Sequence, residues 1–208
     1  PKFEYSCPIG DLMVLFLPDL LSRGQMFQHP IIKPDDARHQ EISKLLSQKE
    51  RPRIAISWRG GAGANGKIRS MLLDTLMSGM PAGRDVEVIS LQYDENNEKE
   101  IIMNGDRRVT FSGLNNRDDL EGVFALIRCC DAVLTVDNAV AHFAAAVGVP
   151  VAVLIPAAQT QFRWKHLGMK QLLFPSARLF VQDKPGEWLT AVEEAWQFAL
   201  EVAAQKSR

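Results

Sequence analysis

The feature that most constrains the fold is a regular alternation of short apolar runs with helical patterns, which begins after residue 52. The apolar runs are RIAISW, VEVISLQ, RVTFSG, AVLTVD, VPVAVLIP and ARLFVQ. Helical patterns fall between most of them, and a last one, EWLTAVEEAWQFALEVAAQ, follows the final run. Unbroken apolar strands that alternate with helices are typical of a parallel sheet covered on both faces. The sequence therefore predicts an α/β domain with an open, doubly wound parallel sheet.

The composition fits this fold and excludes several functions. The chain has 208 residues, of which 46% are hydrophobic and 24% charged, as in ordinary globular proteins. A net charge of -1 argues against a broad nucleic-acid surface. The run LMVLFLPDLL is shorter than the roughly 20 residues of a membrane span and contains Pro18. We therefore expect a cytoplasmic protein that is not transmembrane, and peripheral attachment to the inner membrane stays open.

Cysteine usage and the first 50 residues bear on the organisation of the chain. Three cysteines form neither a disulfide framework nor a zinc spacing. Residues 1–50 are rich in proline and lack a clear period until DDARHQEISKLLSQKE, which predicts a helix beginning near Asp35 or Asp36. The sequence also begins without Met. We therefore assign residues 1–50 to a tail or linker from a preceding domain, and residues 51–208 to one Rossmann-like domain.

The loop after the first strand, SWRGGAGANGKIRS, fits two known glycine patterns. Residues 61–66 spell G-x-G-x-x-G, and residues 61–67 spell G-x-x-x-x-G-K. A dinucleotide site requires the helix to open within the glycines, whereas the next good helix start here is Ser70. A P-loop requires Ser or Thr after the lysine to hold magnesium, and this chain has Ile68. Neither pattern is complete.

A third interpretation of the same loop needs fewer exceptions. Ligands of open α/β sheets bind beyond the carboxyl ends of the strands, where this loop lies. Arg59, Lys67 and Arg69 supply positive charge, and a helix N-terminus capped by Ser70 supplies amides. The loop therefore favours a phosphate-bearing ligand, and a flexible glycine-rich surface loop remains the alternative.

The segment TVDNAVAHF, after the fourth strand, places three polar residues in an apolar environment. Asp137 or Asn138 is predicted to cap the next helix. His142 lies four residues after Asn138, on the same face of that helix, so we expect the two side chains to converge. A ligand-binding role and the role of a buried structural histidine both remain open for His142.

Several segments together resemble glycosyltransferase family 9, the ADP-heptose:lipopolysaccharide heptosyltransferases. They are RIAISWRGG, VISLQYDE, DLEGVFALIRCCDAVLTVDNAVAHFAAAVGVPVAVLIP, and RWKHLG with the FPSARLFVQ and GEW that follow it. The most specific element is D-[TN]-x-x-x-H in VDNAVAH, followed by GVPVAVLIP. The chain is most similar to the bacterial branch of the family that is fused to tetratricopeptide repeats. The resemblance implies the C-terminal, donor-nucleotide half of a GT-B enzyme, in which two Rossmann-like domains enclose the active site.

The resemblance also implies roles for individual residues. Asp137, Asn138, Ala139 and His142 occupy the positions that hold the donor pyrophosphate in the family. Asn138 and Ala139 depart from the commonest Thr-Gly pair, which leaves open an altered site or a lost activity. Arg69 falls where the family has a phosphate-contacting cation.

Other positions follow from the same resemblance. Gln92, Asp94 and Glu95 fall where the family reads the nucleoside or the sugar. Trp164 either stacks on the ligand or plugs the end of the sheet, and we favour the plug. For Asp118 and Asp119, which open the next helix, we favour simple helix capping over a place near the base pocket. The remaining tryptophans of the last helical region, Trp188 and Trp196, are predicted to lie in the core.

The implied reaction is inverting, metal-independent sugar transfer from a nucleotide-diphosphate sugar of the ADP-heptose type, with no cofactor. The leaving charge would be met by preorganised cations and amides. The family's catalytic base is an Asp of the N-terminal half, so no catalytic residue is assigned here and the chain alone is expected to be inactive. The expected partners are that half, tetratricopeptide repeats, and a glycan, lipid or protein acceptor. Two alternatives remain: a non-catalytic binding module derived from this fold, and a P-loop NTPase.

Overall fold

The computed structural model describes most of the chain. The described residues are 18–19, 22, 30–46, 51–61, 63–93, 101, 109–157, 164, 166–167, 170–171 and 174–206. Its helices are α1 (Asp36–Leu45), α2 (Ala64–Arg69), α3 (Leu73–Ser78), α4 (Leu120–Arg128), α5 (Ala139–Val147) and α6 (Leu189–Lys206). Its strands are β1 (Arg53–Ser57), β2 (Glu87–Ser90), β3 (Val109–Phe111), β4 (Ala132–Val136), β5 (Val151–Ile155), β6 (His166–Leu167), β7 (Lys170–Gln171) and β8 (Ala177–Val181).

Six strands form one parallel sheet in the order β3-β2-β1-β4-β5-β8. The chain starts in the centre with β1, extends through β2 to β3, and then crosses over to add β4 on the other side of β1. The strand order thus reverses between β1 and β4, which is where such sheets open a crevice for a ligand. The predicted α/β class with an open parallel sheet is confirmed.

The core consists of two layers, one on each face of the sheet. Side chains of a strand alternate between faces, so Ile54 and Ile56 of β1 enter one layer and Ala55 enters the other. The first layer is covered by α3 and α6, and it contains the predicted core residues Trp188 and Trp196, which are 6% and 0% exposed. The second layer is covered by α1, α4 and α5. The sheet is therefore buried on both sides, as the unbroken apolar runs indicate.

Helix α1 begins at Asp36, within the predicted range, and Asp35 caps it. The helix packs within the sheet domain. The Asp35 side chain accepts a hydrogen bond from the Arg38 amide, and the Asp35 amide donates to Glu121 Oε1 at 2.6 Å. Ile42 is 1% exposed and lies in the second core layer. The boundary predicted at residue 50 therefore separates α1 from a core that it helps to build.

The glycine loop differs from the prediction at its helix boundaries. Helix α2 already opens at Ala64, within the glycines, and Ser70 ends it, while α3 begins only at Leu73. Gly63 adopts φ +95°, a conformation that favours glycine and allows the chain to turn into α2 this early. The prediction that Ser70 caps a helix N-terminus is therefore wrong. Among the described helices, none is long and apolar enough to cross a membrane.

Candidate functional site

The candidate site lies at the carboxyl ends of β1 and β4, where the strand order reverses. These two strands are parallel neighbours in the sheet, and Ser57 at the end of β1 is in register with Thr135 of β4. The loop after β1 and the turn after β4 therefore leave the sheet side by side. This arrangement brings together residues that are distant in the chain: Arg69 and Asp137 are 68 positions apart, and Arg59 and Asn138 are 79 positions apart.

Asn138 joins these two loops through its side chain, which makes four hydrogen bonds. Its Oδ1 accepts from the Val140 amide at 2.9 Å, which caps α5, and from Thr135 Oγ1 at 3.1 Å. Its Nδ2 donates to Ser57 Oγ at 2.9 Å and to the Arg59 carbonyl at 3.0 Å. The capping role predicted for this position is confirmed. An Asn amide has two donor hydrogens, and the protein itself uses both of them here.

Gln92 holds the same loop from the opposite side. Its Oε1 accepts from Ser57 Oγ at 2.9 Å and from the amides of Trp58 and Arg59, each at 3.0 Å. The residue is 1% exposed. A side chain this deeply buried, with its oxygen occupied three times, supports the backbone of the loop. Its predicted role as a direct reader of the nucleoside or sugar is not what this geometry favours.

Arg69 and Asp137 lie in contact, which brings together two residues predicted for phosphate binding. Arg69 Nη1 donates to the Asp137 carbonyl at 3.0 Å and lies 3.4 Å from Asp137 Oδ2. The other carboxylate oxygen accepts from Trp164 Nε1 at 2.8 Å. Asp137 is 1% exposed, whereas the Arg69 side chain keeps 17% of its surface exposed. The buried carboxylate therefore fixes the guanidinium at the mouth of the site.

His142 packs against Trp164, and its convergence with Asn138 stays a prediction. The two rings are stacked, with centroids 4.7 Å apart and planes 9° from parallel, and Phe174 packs against both. Trp164 is 2% exposed and belongs to the second core layer. The preferred interpretation of Trp164 as a plug at the end of the sheet agrees with this burial. His142 thus supports the indole that in turn holds Asp137.

The glycines of the loop after β1 allow the backbone to pack against itself. A Cβ on Gly66 would lie 1.4 Å from the carbonyl oxygen of Gly61, so no larger residue fits there without a shift of backbone. Ser70 Oγ donates to the Gly66 carbonyl at 2.7 Å and accepts from the Gly60 amide at 3.0 Å. The space at Gly66 is therefore filled by the protein's own backbone. This contact accounts for part of the G-x-G-x-x-G pattern without a dinucleotide.

The remaining predicted residues differ in their accessibility. Lys67 and Ala139 are exposed, and Arg59 is half-buried, with its backbone bound by Gln92 and Asn138. Asp94 and Glu95 lie outside the described residues. Within the described part of the chain, no group of three His, Cys, Asp or Glu side chains is placed to hold a metal ion.

Three further residues, none of them predicted from the sequence, complete this site. Ser57 and Thr135 are buried hydroxyls at the ends of apolar strands, and they bind the Gln92 and Asn138 side chains. Asn116 Nδ2 donates to the carbonyls of Ser90 and Gln92, at 3.3 and 3.1 Å. A polar residue at the last positions of an otherwise apolar run was the signal for the first two. Asn116 lies in a polar turn that offers no such signal.

The fold defines a class, an open α/β domain with a six-stranded parallel sheet of the Rossmann-like type. Two solved structures share this fold. Escherichia coli ADP-heptose LPS heptosyltransferase II is 15% identical with a TM-score of 0.56, over 88% of this chain and 57% of that one. The family 9 glycosyltransferase from Veillonella parvula DSM 2008 is 12% identical with a TM-score of 0.57, over 84% of this chain and 53% of that one.

Two sequence comparisons show which known proteins this chain is similar to. The model of glycosyltransferase family 9 (heptosyltransferase) matches residues 82–172, which include Gln92 and the turn from Asp137 to His142 but not the loop that carries Arg69. Protein FlbA of Caulobacter vibrioides is 27% identical over 197 residues, which are 90% of this chain and 31% of FlbA. The chain thus spans about half the length of the two solved structures and under a third of FlbA.

Proposed function

We propose that this chain is the donor-binding half of an inverting, metal-independent glycosyltransferase that uses a nucleotide-diphosphate sugar. The observation that carries the proposal is the contact of Arg69 with Asp137 at the start of α5, on the carboxyl edge of a GT-B-type sheet. A buried carboxylate that orients a partly exposed guanidinium keeps a cation ready for an anionic group. The likeness to family 9 over residues 82–172 supports the choice of a nucleotide sugar.

The charges around the site suit a diphosphate. Among the predicted site residues that the structure describes, Arg59, Lys67 and Arg69 are three cations against the carboxylate of Asp137, which leaves these four side chains a formal charge of +2. Ala139, the first residue of the nine-residue helix α5, is exposed, so a ligand can approach the amino end of the helix at this residue. Cations and amides that are fixed before the reaction stabilise a leaving nucleoside diphosphate without reorganisation.

The reaction needs a catalytic base, and no residue of this chain is assigned that role. In an inverting transfer a base removes the proton of the acceptor hydroxyl, whose oxygen attacks the anomeric carbon as the nucleoside diphosphate leaves. We place that base in an N-terminal GT-B half of the intact protein. We further propose that the intact protein carries tetratricopeptide repeats and that its acceptor is a glycan, a lipid or a protein. We expect the chain alone to bind nucleotide and to show no transfer.

Calorimetric titration of ADP, UDP and GDP, with and without magnesium, tests the proposal. We expect magnesium-independent binding of one nucleotide, weakened about tenfold or more by Arg69→Ala, because charged hydrogen bonds to phosphate contribute about 1.5 to 3 kcal/mol. His142→Ala should weaken binding less, through Trp164. Arg51→Ala is the matched control, since it removes an exposed cation that pairs with Asp85 at the other end of β1. Equal losses in Arg69→Ala and Arg51→Ala would reject the site.

Two alternative functions give different results in the same titration. A P-loop NTPase would bind ATP or GTP only with magnesium, and Lys67→Ala would abolish this binding while His142→Ala would not. A non-catalytic binding module is favoured by one observation, the use of both Asn138 donors within the protein. For that module, the intact protein would bind a partner stably and neither transfer nor hydrolyse any nucleotide sugar.

A further inference from the structure

We infer that Gln92 and Asn138 are positioning residues that together fix the backbone of the loop after β1, and that they do not contact the ligand. We call this pair the amide clamp. The inference rests on the proposed function for its ligand, but the geometry of the clamp is independent of it. It also reassigns two positions that the family resemblance places among the donor contacts.

Both hydrogens and the oxygen of the Asn138 amide, and the oxygen of the Gln92 amide, are engaged within the protein. The Asn138 amide makes two donated and two accepted bonds, which leaves it no hydrogen for a phosphate. The Gln92 oxygen accepts three bonds. Asn138 and Gln92 are 7% and 1% exposed. A ligand at this edge would have to break bonds that are already buried and satisfied, which is unfavourable.

Both amides act on the same short piece of backbone. Gln92 binds the amides of Trp58 and Arg59, while Asn138 binds the carbonyl of Arg59. Ser57 Oγ donates to Gln92 and accepts from Asn138, so it links the two halves of the clamp. The peptide groups on both sides of Arg59 are thereby held from opposite directions.

The same backbone is connected to the cations of the site. Arg59 lies within the clamped segment, and the next residue, Gly60, is bound through its amide to Ser70 Oγ. Ser70 directly follows Arg69 and also holds the Gly66 carbonyl. The clamp therefore fixes the start of the loop, and Ser70 fixes its end. A charge-neutral change at Asn138 or Gln92 should displace Arg59 without altering the charge of the site.

The test uses two neutral variants and a matched control. Asn138→Ser keeps a residue that caps helices well but is too short to reach Ser57 and Arg59. Gln92→Met keeps the volume but replaces the amide oxygen by a thioether sulfur, which is only a weak acceptor. The control is Trp196→Phe, which removes a buried hydrogen bond from the indole to the Leu76 carbonyl in the other core layer. All three variants lower the free energy of unfolding, so stability alone cannot separate them.

Affinity for a nucleoside diphosphate separates them. With whichever of ADP, UDP and GDP the wild type binds most tightly, we expect about a tenfold loss in Asn138→Ser and in Gln92→Met, and less than about a twofold change in Trp196→Phe. The double variant should bind no more weakly than about the weaker single variant, because both changes release the same backbone. Wild-type affinity in both single variants, or additive losses in the double variant, would overturn the inference.

Amide hydrogen exchange keeps the inference testable if the wild type binds no nucleotide and the proposed function fails. We expect the amides of Trp58 and Arg59 to exchange about tenfold faster in Asn138→Ser and in Gln92→Met than in the wild type, and at the wild-type rate in Trp196→Phe. Unchanged exchange at both amides in Asn138→Ser would overturn the clamp. The exchange measurement therefore tests the amide clamp even if the proposed nucleotide binding is not observed.

Discussion

The two ends of β1 are held in place by different chemistry. At its amino end, the buried Arg53 side chain donates to Glu87 Oε2 at 2.5 Å, and the Arg53 amide donates to Asp131 Oδ2 at 2.8 Å. At its carboxyl end, the buried contacts of Ser57 are to the neutral side chains of Gln92 and Asn138. One strand of five residues therefore runs from a charged cluster to a neutral one.

The contacts at the amino end of β1 serve stability, whereas the carboxyl end is where a ligand can bind. At the amino end the Arg53 charge is paired with Glu87, and the Asp131 carboxylate accepts a backbone hydrogen bond, since ions that are removed from water need such partners. The carboxyl end needs no ions for cohesion, because amides and hydroxyls can be buried once their hydrogen bonds are made. The cations at that end, Arg59, Lys67 and Arg69, are thereby left to set the potential that a ligand meets. Only the carboxyl end has the character of a site.

The largest expected effect breaks the amino end. Arg53→Met removes one partner of a buried ion pair whose side chains are 3% and 12% exposed, and it should lower the free energy of unfolding by about 3 to 5 kcal/mol. Urea denaturation measures the loss. The matched control, Arg51→Ala, breaks a pair that is 51% and 82% exposed and should cost less than about 1 kcal/mol. A loss in Arg53→Met as small as that of the control would show that the amino end does not depend on charge.

An intermediate effect is expected in the glycine loop at the carboxyl end. Gly66→Ala places a Cβ 1.4 Å from the Gly61 carbonyl oxygen and should destabilise the protein by about 1 to 3 kcal/mol. Gly61→Ala is the control, because a Cβ there has no neighbour within 4 Å and should change stability by less than about 0.5 kcal/mol. If the two alanines behave alike in urea denaturation, the loop does not pack on itself as described.

The smallest expected effect concerns a charge at the carboxyl edge outside the site. The hydrogen bond from the Gly122 amide, followed by the Arg38 side chain, holds the pKa of Asp119 below its usual value of 3.8. A carboxylate with a lowered pKa stabilises the fold above its unfolded pKa, and this contribution disappears as the pH falls through the folded pKa.

Asp119→Asn should therefore cost no more than about 1 kcal/mol at about pH 7, since Asn also caps helices and the ion pair is partly exposed. The difference between wild type and variant should shrink as the pH falls below 3.8 and through the lowered pKa of Asp119 in the folded protein. Denaturation over this pH range provides the measurement. A difference that stays constant with pH would mean that the Asp119 charge does not contribute to stability. A loss of nucleotide affinity in Asp119→Asn at neutral pH would mean that Asp119 contributes to binding as well as to stability.

Much of the fold could be predicted from the sequence because it depends on local patterns. The apolar runs marked the strands, and the caps Asp35, Asp119 and Asn138 marked helix starts, since each binds an amide two or three residues away. The carboxyl edge of the sheet was also predictable as the place of the site. These features need no knowledge of what is distant in the chain.

The detailed roles within the site could not be predicted, because they depend on contacts between distant residues. Gln92 was expected to read a ligand, and nothing near it in the sequence indicates that its oxygen is occupied by the loop after β1. Ser70 was expected to cap a helix, and only the folded backbone shows Gly60 and Gly66 within its reach. Glycine patterns are ambiguous for the same reason. A glycine that leaves room for a ligand and a glycine that leaves room for the protein's own backbone look the same in the sequence.

The hydroxyl of Ser57 has a consequence for the order of folding. It joins residues 35 and 81 positions further along the chain, so its bonds require β1, β2 and β4 to be already aligned. Contacts of such long range form late, because the loops they close must first lose their freedom. A nascent or partly unfolded chain would then contain helices and a forming sheet but no binding site. A ligand that requires this site recognises only the finished protein, and its binding reports the completion of folding.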